Sequence, residues 1–363
     1  MKSCYIHIPF CEKICTYCDF CKMFYNEKMV DRYLEALKLE IDNNYLGEKL
    51  ETIYIGGGTP SCLNVNQLKR FFEILSCLNK TNNCSITIEG NFESTSYEKL
   101  LLYKEYGINR LSFGIESIDN NNLKFLGREF NKEKVDEVFN FCNKLGFVDI
   151  NIDLMYALPG EDIDTLCKDL EYILSKNVTH ISTYSLIIED HTILGINKVK
   201  NINEDLDYEM YEVICNILKK NDYKHYEISN FCKDGFESKH NVVYWKNKEY
   251  YGFGLGASGY INNRRYTNTK SINKYLEGII LYDEEILSDN LKIEYEVILN
   301  LRLCDGISYA DFYKKYGFNV WDKYDYSKLV DDGLLIDNGK NLFIPEDKWY
   351  ISNEIMVKFL EGV

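Results

Sequence analysis

The chain has 363 residues, of which 45% are hydrophobic and 27% charged, and its formal net charge is −15. This composition is typical of an ordered soluble protein with either two average domains or one large barrel and an appendage. The negative charge disfavours nucleic acid and anionic membranes as partners, because both are bound through clustered Lys and Arg. No apolar run approaches the roughly 20 residues of a membrane span. The N-terminus lacks the apolar stretch of a signal peptide, so the sequence predicts a cytoplasmic protein.

Strand-like runs alternate with helical patterns through the first half of the chain. The strand candidates are Ser3–Pro9, Thr52–Ile55, Ser85–Glu89, Arg110–Gly114, Asp149–Met155 and His180–Ile188. The helical candidates are Glu27–Tyr45, Asn66–Leu78, Tyr97–Tyr106, Lys132–Leu145 and Ile163–Leu174. Repeated strand-then-helix units indicate an α/β fold with parallel strands and right-handed crossovers. Because these units are too few for a closed eight-stranded barrel, the sequence predicts a partial, TIM-like (β/α)6 barrel, with a doubly wound sheet as the alternative; both place the chemistry at the C-terminal ends of the strands.

The alternation becomes irregular after residue 202, and we predict three parts. Residues 1–202 form the barrel core, and residues 203–290 form an extension that begins with a helix at Asp205–Lys219. Residues 291–363 form a small α+β module whose element order resembles a winged helix. Its predicted helices are Ile293–Leu303, Tyr309–Tyr316 and Tyr326–Asp332, and its predicted strands are Gly333–Ile336 and Leu342–Ile344.

The cysteines are concentrated near the N-terminus, where Cys11, Cys15, Cys18 and Cys21 follow one another closely. In a long chain without an export signal we expect reduced thiols, and the isolated cysteines are expected to fill the core. Thiolates bind zinc or iron–sulfur clusters. A structural zinc site needs four ligands, often as two distant pairs, and no second pair follows. The Cys11-x3-Cys15-x2-Cys18 loop instead supplies three thiolates, which would leave one iron of a four-iron cluster open to a substrate.

Polar and Gly-rich residues mark the ends of the other predicted strands. The second strand ends in Tyr54-Ile-Gly-Gly-Gly-Thr-Pro60, where glycines allow the backbone to approach a ligand closely. Charged residues lie at or after the later strands. Each charge taken alone is better explained as solvated or structural, but together they converge where a barrel binds its ligand: Glu89, Glu116, Arg128 and Asp153.

The Cx3CxxC loop after the first strand, with Tyr17 before its third cysteine, resembles the radical S-adenosylmethionine (SAM) superfamily. The resemblance implies a [4Fe-4S] cluster on Cys11, Cys15 and Cys18, whose open iron chelates the amino and carboxylate groups of SAM. One electron then cleaves the sulfonium to methionine and a 5′-deoxyadenosyl radical. It also implies a SAM site that consists of Tyr5, Gly57, Gly58, Thr59, Glu89, Glu116, Arg128 and Asp153, with Tyr5 near the sulfonium.

Further segments resemble the oxygen-independent coproporphyrinogen oxidase-like group, and especially its HemW branch of haem chaperones. They extend almost from end to end of the chain: Tyr5–Cys11, Arg110–Ser117, Leu126–Arg128, Asp153–Gly160, Tyr184–Glu189, Tyr226–Phe231, His240–Trp245, Gly252–Ala257, Asn300–Leu303 and Ser352–Leu360. The true oxidases carry a longer N-terminal arm, whereas this chain begins just before Tyr5. They also carry a cysteine where this chain has Phe20, and we interpret Cys21 as a non-ligand.

The segment His240-Asn-Val-Val-Tyr-Trp245 looks like the HNxxYW motif linked to haem binding in the HemW branch. A neutral imidazole can ligate haem iron, and Tyr and Trp supply flat apolar faces. The resemblance therefore implies a haem-related role for His240, Asn241, Tyr244 and Trp245. The alternative is that His240 caps a turn and the aromatic residues belong to the core.

Three departures from the family pattern indicate a divergent member. Glu116 stands where the family often has Gln, which adds negative charge near the cluster. The usual Glu-Ala-Asn-Pro is Glu89-Gly-Asn-Phe92 here, and the usual Gly-Ala-His-Ser is Gly256-Ala-Ser-Gly259.

By resemblance we expect a haem chaperone that carries haem as cargo and transfers it to haemoprotein acceptors, membrane-associated ones among them. We expect it to be a monomer or a weak dimer. The alternative is a radical SAM enzyme that acts on a tetrapyrrole, either an oxygen-independent coproporphyrinogen III dehydrogenase or a methyltransferase. A plain iron–sulfur scaffold would not bind SAM at all.

Overall fold

A computed structural model describes residues 2–129 and 131–361. The strands are β1 (Lys2–Ile8), β2 (Phe10–Cys11), β3 (Met23–Phe24), β4 (Leu50–Gly57), β5 (Lys80–Gly90), β6 (Arg110–Glu116), β7 (Asp149–Tyr156), β8 (His180–Ser185), β9 (Lys224–Glu227), β10 (Asn230–Cys232), β11 (Tyr250–Phe253), β12 (Ser258–Ile261), β13 (Arg264–Asn268), β14 (Leu281–Ile286), β15 (Ile307–Ser308), β16 (Ile336–Asp337) and β17 (Asn341–Phe343). The α-helices are α1 (Glu27–Asn44), α2 (Val65–Ser76), α3 (Tyr97–Glu105), α4 (Asn120–Leu126), α5 (Lys132–Lys144), α6 (Ile163–Leu174), α7 (Ile193–Ile196), α8 (Glu204–Lys220), α9 (Lys239–Trp245), α10 (Ile272–Leu276), α11 (Asp289–Asn300), α12 (Tyr309–Tyr316), α13 (Ser327–Asp331) and α14 (Ser352–Glu361). Across the described residues, none of these helices combines the length and the apolar character that crossing a membrane requires.

The chain divides into two compact units. Unit 1 consists of Met1–Ile217 and Glu249–Ile286, and unit 2 consists of Leu218–Lys248 and Leu287–Val363. The segment 203–290 thus contributes to both units. The three-part division at residues 202 and 290 stays a prediction about sequence modules.

A large, mainly parallel sheet forms the centre of unit 1. Strands β1, β4, β5, β6, β7 and β8 lie side by side in chain order, and every neighbouring pair is parallel. Helices α1, α2, α3, α5 and α6 occupy the connections between successive strands. Polar caps define where these helices begin: Asn26, Asn64 and Asp162 accept backbone N–H groups of the first turns of α1, α2 and α6. The predicted α/β fold class is confirmed.

The parallel strands carry apolar side chains on one face and polar side chains on the other. In β6, Leu111, Phe113 and Ile115 are buried in the core. Because side chains alternate along a strand, Arg110, Ser112, Gly114 and Glu116 share the opposite face. The parallel register places similar residues beside one another, including Tyr5 next to Tyr54, Glu89 next to Ser112, and Gly114 next to Asp153. This polar face leads to the strand ends that hold the candidate site.

The sheet continues beyond β1 in a way that the sequence did not predict. Strand β11 pairs with β1 in parallel, and β12, β13 and β14 follow as antiparallel neighbours. The sequence pattern predicted no strands in this region. Helix α4 was also missed, although Asp119 caps it and Gly127 ends it in a left-handed conformation.

Unit 2 contains short helices and two small antiparallel arrangements. Strands β9 and β10 form a hairpin, and β17 lies between β15 and β16. A turn at Asn338-Gly339 joins two strands, since Ile336 pairs with Phe343 and Gly339 has a φ of +78°. The predicted helices of the final module agree with α11, α12 and α13 to within a few residues.

Candidate functional site

The three predicted cluster ligands lie on one loop at the C-terminal end of β1. Strand β2 pairs in parallel with β3, so the chain leaves at Cys11 and returns at Met23 to the same place. Cys11 is buried, whereas Cys15 and Cys18 are partly exposed. The arrangement presents three thiols from one short loop at the edge of the sheet where radical chemistry is expected.

Backbone contacts from other elements hold this loop in place. The Thr16 N–H donates to the carbonyl of Leu126 at 3.0 Å, and the Thr16 hydroxyl donates to the carbonyl of Phe125 at 2.8 Å. The Leu194 N–H donates in turn to the Thr16 carbonyl at 3.2 Å. Helices α4 and α7, at the ends of β6 and β8, therefore fix the middle of the loop.

The sulfur of each cysteine faces a different hydrogen-bond donor. The Thr59 hydroxyl lies 3.6 Å from Cys11 Sγ, and Arg128 Nη1 lies 3.6 Å from Cys15 Sγ. Burial raises the pKa of the Cys18 thiol, whereas the Lys22 ammonium and the backbone N–H of Phe20 lower it. Burial raises the pKa of Cys11 to about 11. A thiol in that position stays protonated unless a bound metal takes the place of the proton.

The chemistry of these residues fits a four-iron cluster. Within residues 2–129 and 131–361, no three His, Cys, Asp or Glu side chains form a group that could hold one metal ion. A four-iron cluster makes a different demand, because each thiolate binds a different iron. The neutral and charged donors around the three sulfurs are the kind that stabilise cluster thiolates.

The glycines at the end of β4 leave space that neighbouring protein atoms occupy. A side chain at Gly57 would overlap the His7 ring at 2.5 Å, and one at Gly58 would lie 2.9 Å from Cys11 Sγ. The backbone N–H groups here are already used: Gly57 donates to Glu89 at 3.0 Å, and Gly58 donates to the Ile8 carbonyl at 2.8 Å. The glycines therefore allow β1, β2 and β5 to approach β4. Because the N–H groups of Gly57 and Gly58 are occupied, a ligand that carries N–H donors would hydrogen-bond to the backbone carbonyl oxygens of this segment.

Glu89 links the second and third strands of the sheet. Its carboxylate accepts the Tyr54 hydroxyl at 2.7 Å and the Gly57 N–H at 3.0 Å. Burial raises the pKa of Glu89 to about 7, with the neighbouring Asp153 adding to the rise. An ammonium group placed beside this carboxylate would lower its pKa and favour the charged form.

Tyr5 and His7 form a hydrogen-bonded chain that reaches the end of the cluster loop. His7 Nε2 lies 2.7 Å from the Cys21 carbonyl, which can only accept, so Nε2 carries the proton. Burial lowers the pKa of His7 to about 4, which keeps the ring neutral. Nδ1 is then an acceptor for the Tyr5 hydroxyl at 2.9 Å. His7 thus hydrogen-bonds to the loop through its ring.

Glu116 and Arg128 form a buried ion pair beside the cluster loop. Arg128 Nε lies 3.0 Å from Glu116 Oε2, and Arg128 Nη2 donates to the Gly114 carbonyl at 2.9 Å. The Tyr17 hydroxyl donates to Glu116 Oε1 at 3.1 Å. Burial raises the pKa of Glu116 to about 7, and Arg128 opposes the rise. The negative charge that Glu116 adds near the loop is therefore matched by a guanidinium in direct contact.

The polar face of the sheet connects these groups, and it includes residues that sequence reasoning missed. Asp153 accepts the Asn151 amide at 2.8 Å, and its charge interacts with Arg110 and Arg128. Arg110 is almost fully buried and pairs with Asp149 at 3.3 Å. The missed signal was the strand alternation itself, because a buried face built from polar residues indicates a site or an internal network. The structure thus brings Glu89, Glu116, Arg128 and Asp153 together; their role toward SAM stays a prediction.

The predicted haem motif lies in unit 2, on helix α9. Ser238 caps this helix, and His240 is buried with Nε2 2.7 Å from the Tyr244 hydroxyl. The backbone N–H of Asn241 donates to the Ser238 hydroxyl that caps the helix. The Arg302 guanidinium lies over the Trp245 ring, 4.8 Å from its centroid. The motif is thus one compact helical turn with an internal hydrogen bond, and its role toward haem stays a prediction.

The parallel sheet and its thiol loop define a radical SAM fold. A family model of the Radical SAM superfamily matches residues 5–173, and one of the HemN C-terminal domain matches residues 287–347. The structure of Escherichia coli coproporphyrinogen III oxidase (HemN), a radical SAM enzyme, is similar with a TM-score of 0.88 over 98% of this chain and 89% of that chain. Their sequence identity is 22%, so this likeness shows the fold alone. The fold implies a [4Fe-4S] cluster and SAM binding.

Full-length relatives identify the family within this class. The heme chaperone HemW of Lactococcus lactis is 38% identical, and the alignment covers 99% of this chain and 97% of the relative. The HemW of Bacillus subtilis is 36% identical over 99% of both chains, and that of Escherichia coli is 30% identical over 85% of both. The chain belongs to the HemW heme chaperone family.

Proposed function

We propose that this protein binds haem and transfers it to acceptor haemoproteins, and that a [4Fe-4S] cluster on Cys11, Cys15 and Cys18 and a SAM site belong to the same protein. The observation that carries this proposal is the similarity to heme chaperones over essentially the whole chain. The thiol loop with its three sulfur donors supports the cluster. When bound, the cluster and SAM would supply one-electron reductive chemistry at the sulfonium.

The chain's own residues would hold SAM through complementary charges. The SAM ammonium group needs acceptors, and Glu89 with the carbonyl oxygens of Gly57 and Gly58 provides them at the ends of β4 and β5. The SAM carboxylate needs a cation, and the Arg128 guanidinium lies at the loop, with Nη1 3.6 Å from Cys15 Sγ. Asp153 and Glu116 would accept ribose hydroxyls, while Tyr5 would face the sulfonium. Thr59 contributes differently, since its hydroxyl points to Cys11.

Haem would bind at the helix α9 motif, with His240 as the candidate iron ligand. His240 Nε2 is engaged by Tyr244, so ligation at that atom requires this hydrogen bond to open. The Trp245 ring and the Arg302 guanidinium next to it would offer an apolar face and a cation for a haem propionate. Because the His240–Tyr244 bond competes with ligation, this arrangement suits a protein that releases its cargo.

The test is a haem titration of purified protein followed in the Soret region, with two matched variants. His240→Ala should lose the spectrum of imidazole-ligated haem and bind haem at least tenfold more weakly. Tyr244→Phe keeps the ring and removes the competing hydroxyl, so it should bind haem as tightly or more tightly but release it more slowly to an apo-haemoprotein. An unchanged spectrum in His240→Ala would remove His240 as an iron ligand.

A second measurement separates the chaperone from the tetrapyrrole enzyme. Cluster-reconstituted protein would be incubated without oxygen with SAM, a low-potential reductant and coproporphyrinogen III, and the products separated by chromatography. We expect bound SAM and no protoporphyrinogen. Formation of protoporphyrinogen together with 5′-deoxyadenosine would overturn the chaperone proposal and make the protein an oxidase despite Phe20.

A further inference from the structure

The three thiol sulfurs of the cluster loop differ in the hydrogen bond that each receives. Cys15 faces a guanidinium, Cys18 faces a backbone N–H, and Cys11 faces the neutral hydroxyl of Thr59. The donors come from different parts of unit 1: Arg128 follows α4, whereas Thr59 follows β4. Only the hydroxyl can be removed by a nearly isosteric substitution, which makes Thr59 the informative position.

Thr59 is held so that its hydroxyl stays on the sulfur. The residue is buried, and its N–H donates to the Phe10 carbonyl at 2.8 Å. It directly precedes Pro60, which opens a short 3-10 helix at Pro60–Cys62. The Thr59 hydroxyl lies 3.6 Å from Cys11 Sγ. A buried side chain fixed at both its backbone and its hydroxyl is a poor candidate for contact with SAM.

We propose that Thr59 is a positioning residue that sets the reduction potential of the cluster through its hydrogen bond to Cys11, and is not a SAM ligand. The inference rests on the proposed four-iron cluster. Reduction adds one electron from a low-potential donor to the oxidised cluster and increases the negative charge shared by the thiolates. A donor on a thiolate therefore stabilises the reduced form more than the oxidised form and raises the potential.

The test is a redox titration of the reconstituted protein without SAM and without haem, followed by electron paramagnetic resonance. Thr59→Val removes the hydroxyl and keeps the shape, so the equilibrium constant for reduction should fall about threefold to tenfold, the usual contribution of one hydrogen bond. A tenfold fall corresponds to a potential about 59 mV more negative. Thr59→Ser keeps the hydroxyl and should restore most of the wild-type value.

Thr95→Val is the matched control, because the Thr95 hydroxyl is also buried but donates to the Asn91 carbonyl, outside the cluster loop, rather than to a thiol. It should keep the wild-type potential. SAM affinity, measured by equilibrium dialysis of the oxidised protein, should be nearly equal in Thr59→Val and wild type. An unchanged potential in Thr59→Val, or an equal shift in Thr95→Val, would overturn the inference. Wild-type protein that holds no four-iron cluster after reconstitution would instead overturn the proposed function.

Discussion

Gly58→Ala tests directly whether the Gly-rich segment is there to admit Cys11. The backbone at Gly58 is not in the left-handed region, so an alanine has no conformational cost there. Its new methyl group would lie 2.8 Å from the Phe10 carbonyl oxygen and 2.9 Å from Cys11 Sγ. An alanine Cβ in ordinary van der Waals contact lies at least about half an ångström farther from its neighbours than these two distances. The Phe10 carbonyl cannot retreat freely, because it accepts the Thr59 N–H at 2.8 Å.

We therefore expect the methyl group to push Cys11 out of its place on the loop. Overpacking of this kind costs about 1–3 kcal/mol of stability. Gly107→Ala is the control: it adds a methyl group in open space but at a φ of +82°, which costs about 1–2 kcal/mol for an L-residue. The two variants should thus be destabilised to a similar extent in urea unfolding.

Only the cluster content should separate the two variants. Iron and sulfide per chain after anaerobic reconstitution should fall to less than half of wild type in Gly58→Ala and stay near wild type in Gly107→Ala. If Gly58→Ala held as much iron as wild type and gave an unchanged electron paramagnetic resonance spectrum, the contact between Gly58 and Cys11 would not matter for the cluster.

Two further predictions concern buried charges. Arg128→Met should destabilise the protein by about 3–5 kcal/mol, because it leaves Glu116 buried without its cation. Adding Glu116→Gln should recover part of this loss, as measured by urea unfolding. A double variant whose destabilisation equals the sum of the two single variants would contradict this prediction. Burial raises the pKa of Glu161 to about 8, so the folded state holds its proton more tightly than the unfolded state. Stability should consequently fall as pH rises from about 4.5 to about 8, by at most about 1.4 kcal/mol per unit, and Glu161→Gln should flatten that slope.

The parallel core of the fold was predictable from the sequence because its strands are regular. Buried β-branched and aromatic runs end at Gly, Pro or Asn, and most of them are followed by a capped amphipathic helix, so local pattern and global topology agree. Strand β14 gave no such signal. All residues of Leu281–Ile286 are exposed, so no apolar alternation marks the strand. Strand β11 is short and flanked by glycine, and its pairing with β1 joins segments almost 250 residues apart.

The candidate site was predictable in its members but not in its contacts. The Cys11–Cys18 spacing and the resemblance it carries identified the loop, and the strand ends identified Glu89, Glu116 and Asp153. Their partners depend on register and on loop geometry, which a single sequence does not encode locally. The Glu116 backbone is an example, because it adopts a φ of +58° beside a register shift in β6. The surrounding sequence gives no signal for this conformation.

The contacts change the interpretation of the departures from the family pattern. From sequence, Glu116 in place of Gln looked like unwelcome negative charge near a cluster. In the structure its carboxylate accepts from Tyr17 of the loop and pairs with Arg128, which also reaches Cys15. The acid thus keeps the guanidinium positioned between itself and the Cys15 thiol. A glutamine would still accept from Tyr17 but would leave the Arg128 charge less compensated, so the positive field at Cys15 would rise. At the proposed cluster, Glu116 would therefore act mainly by lowering the net charge that Arg128 presents to Cys15.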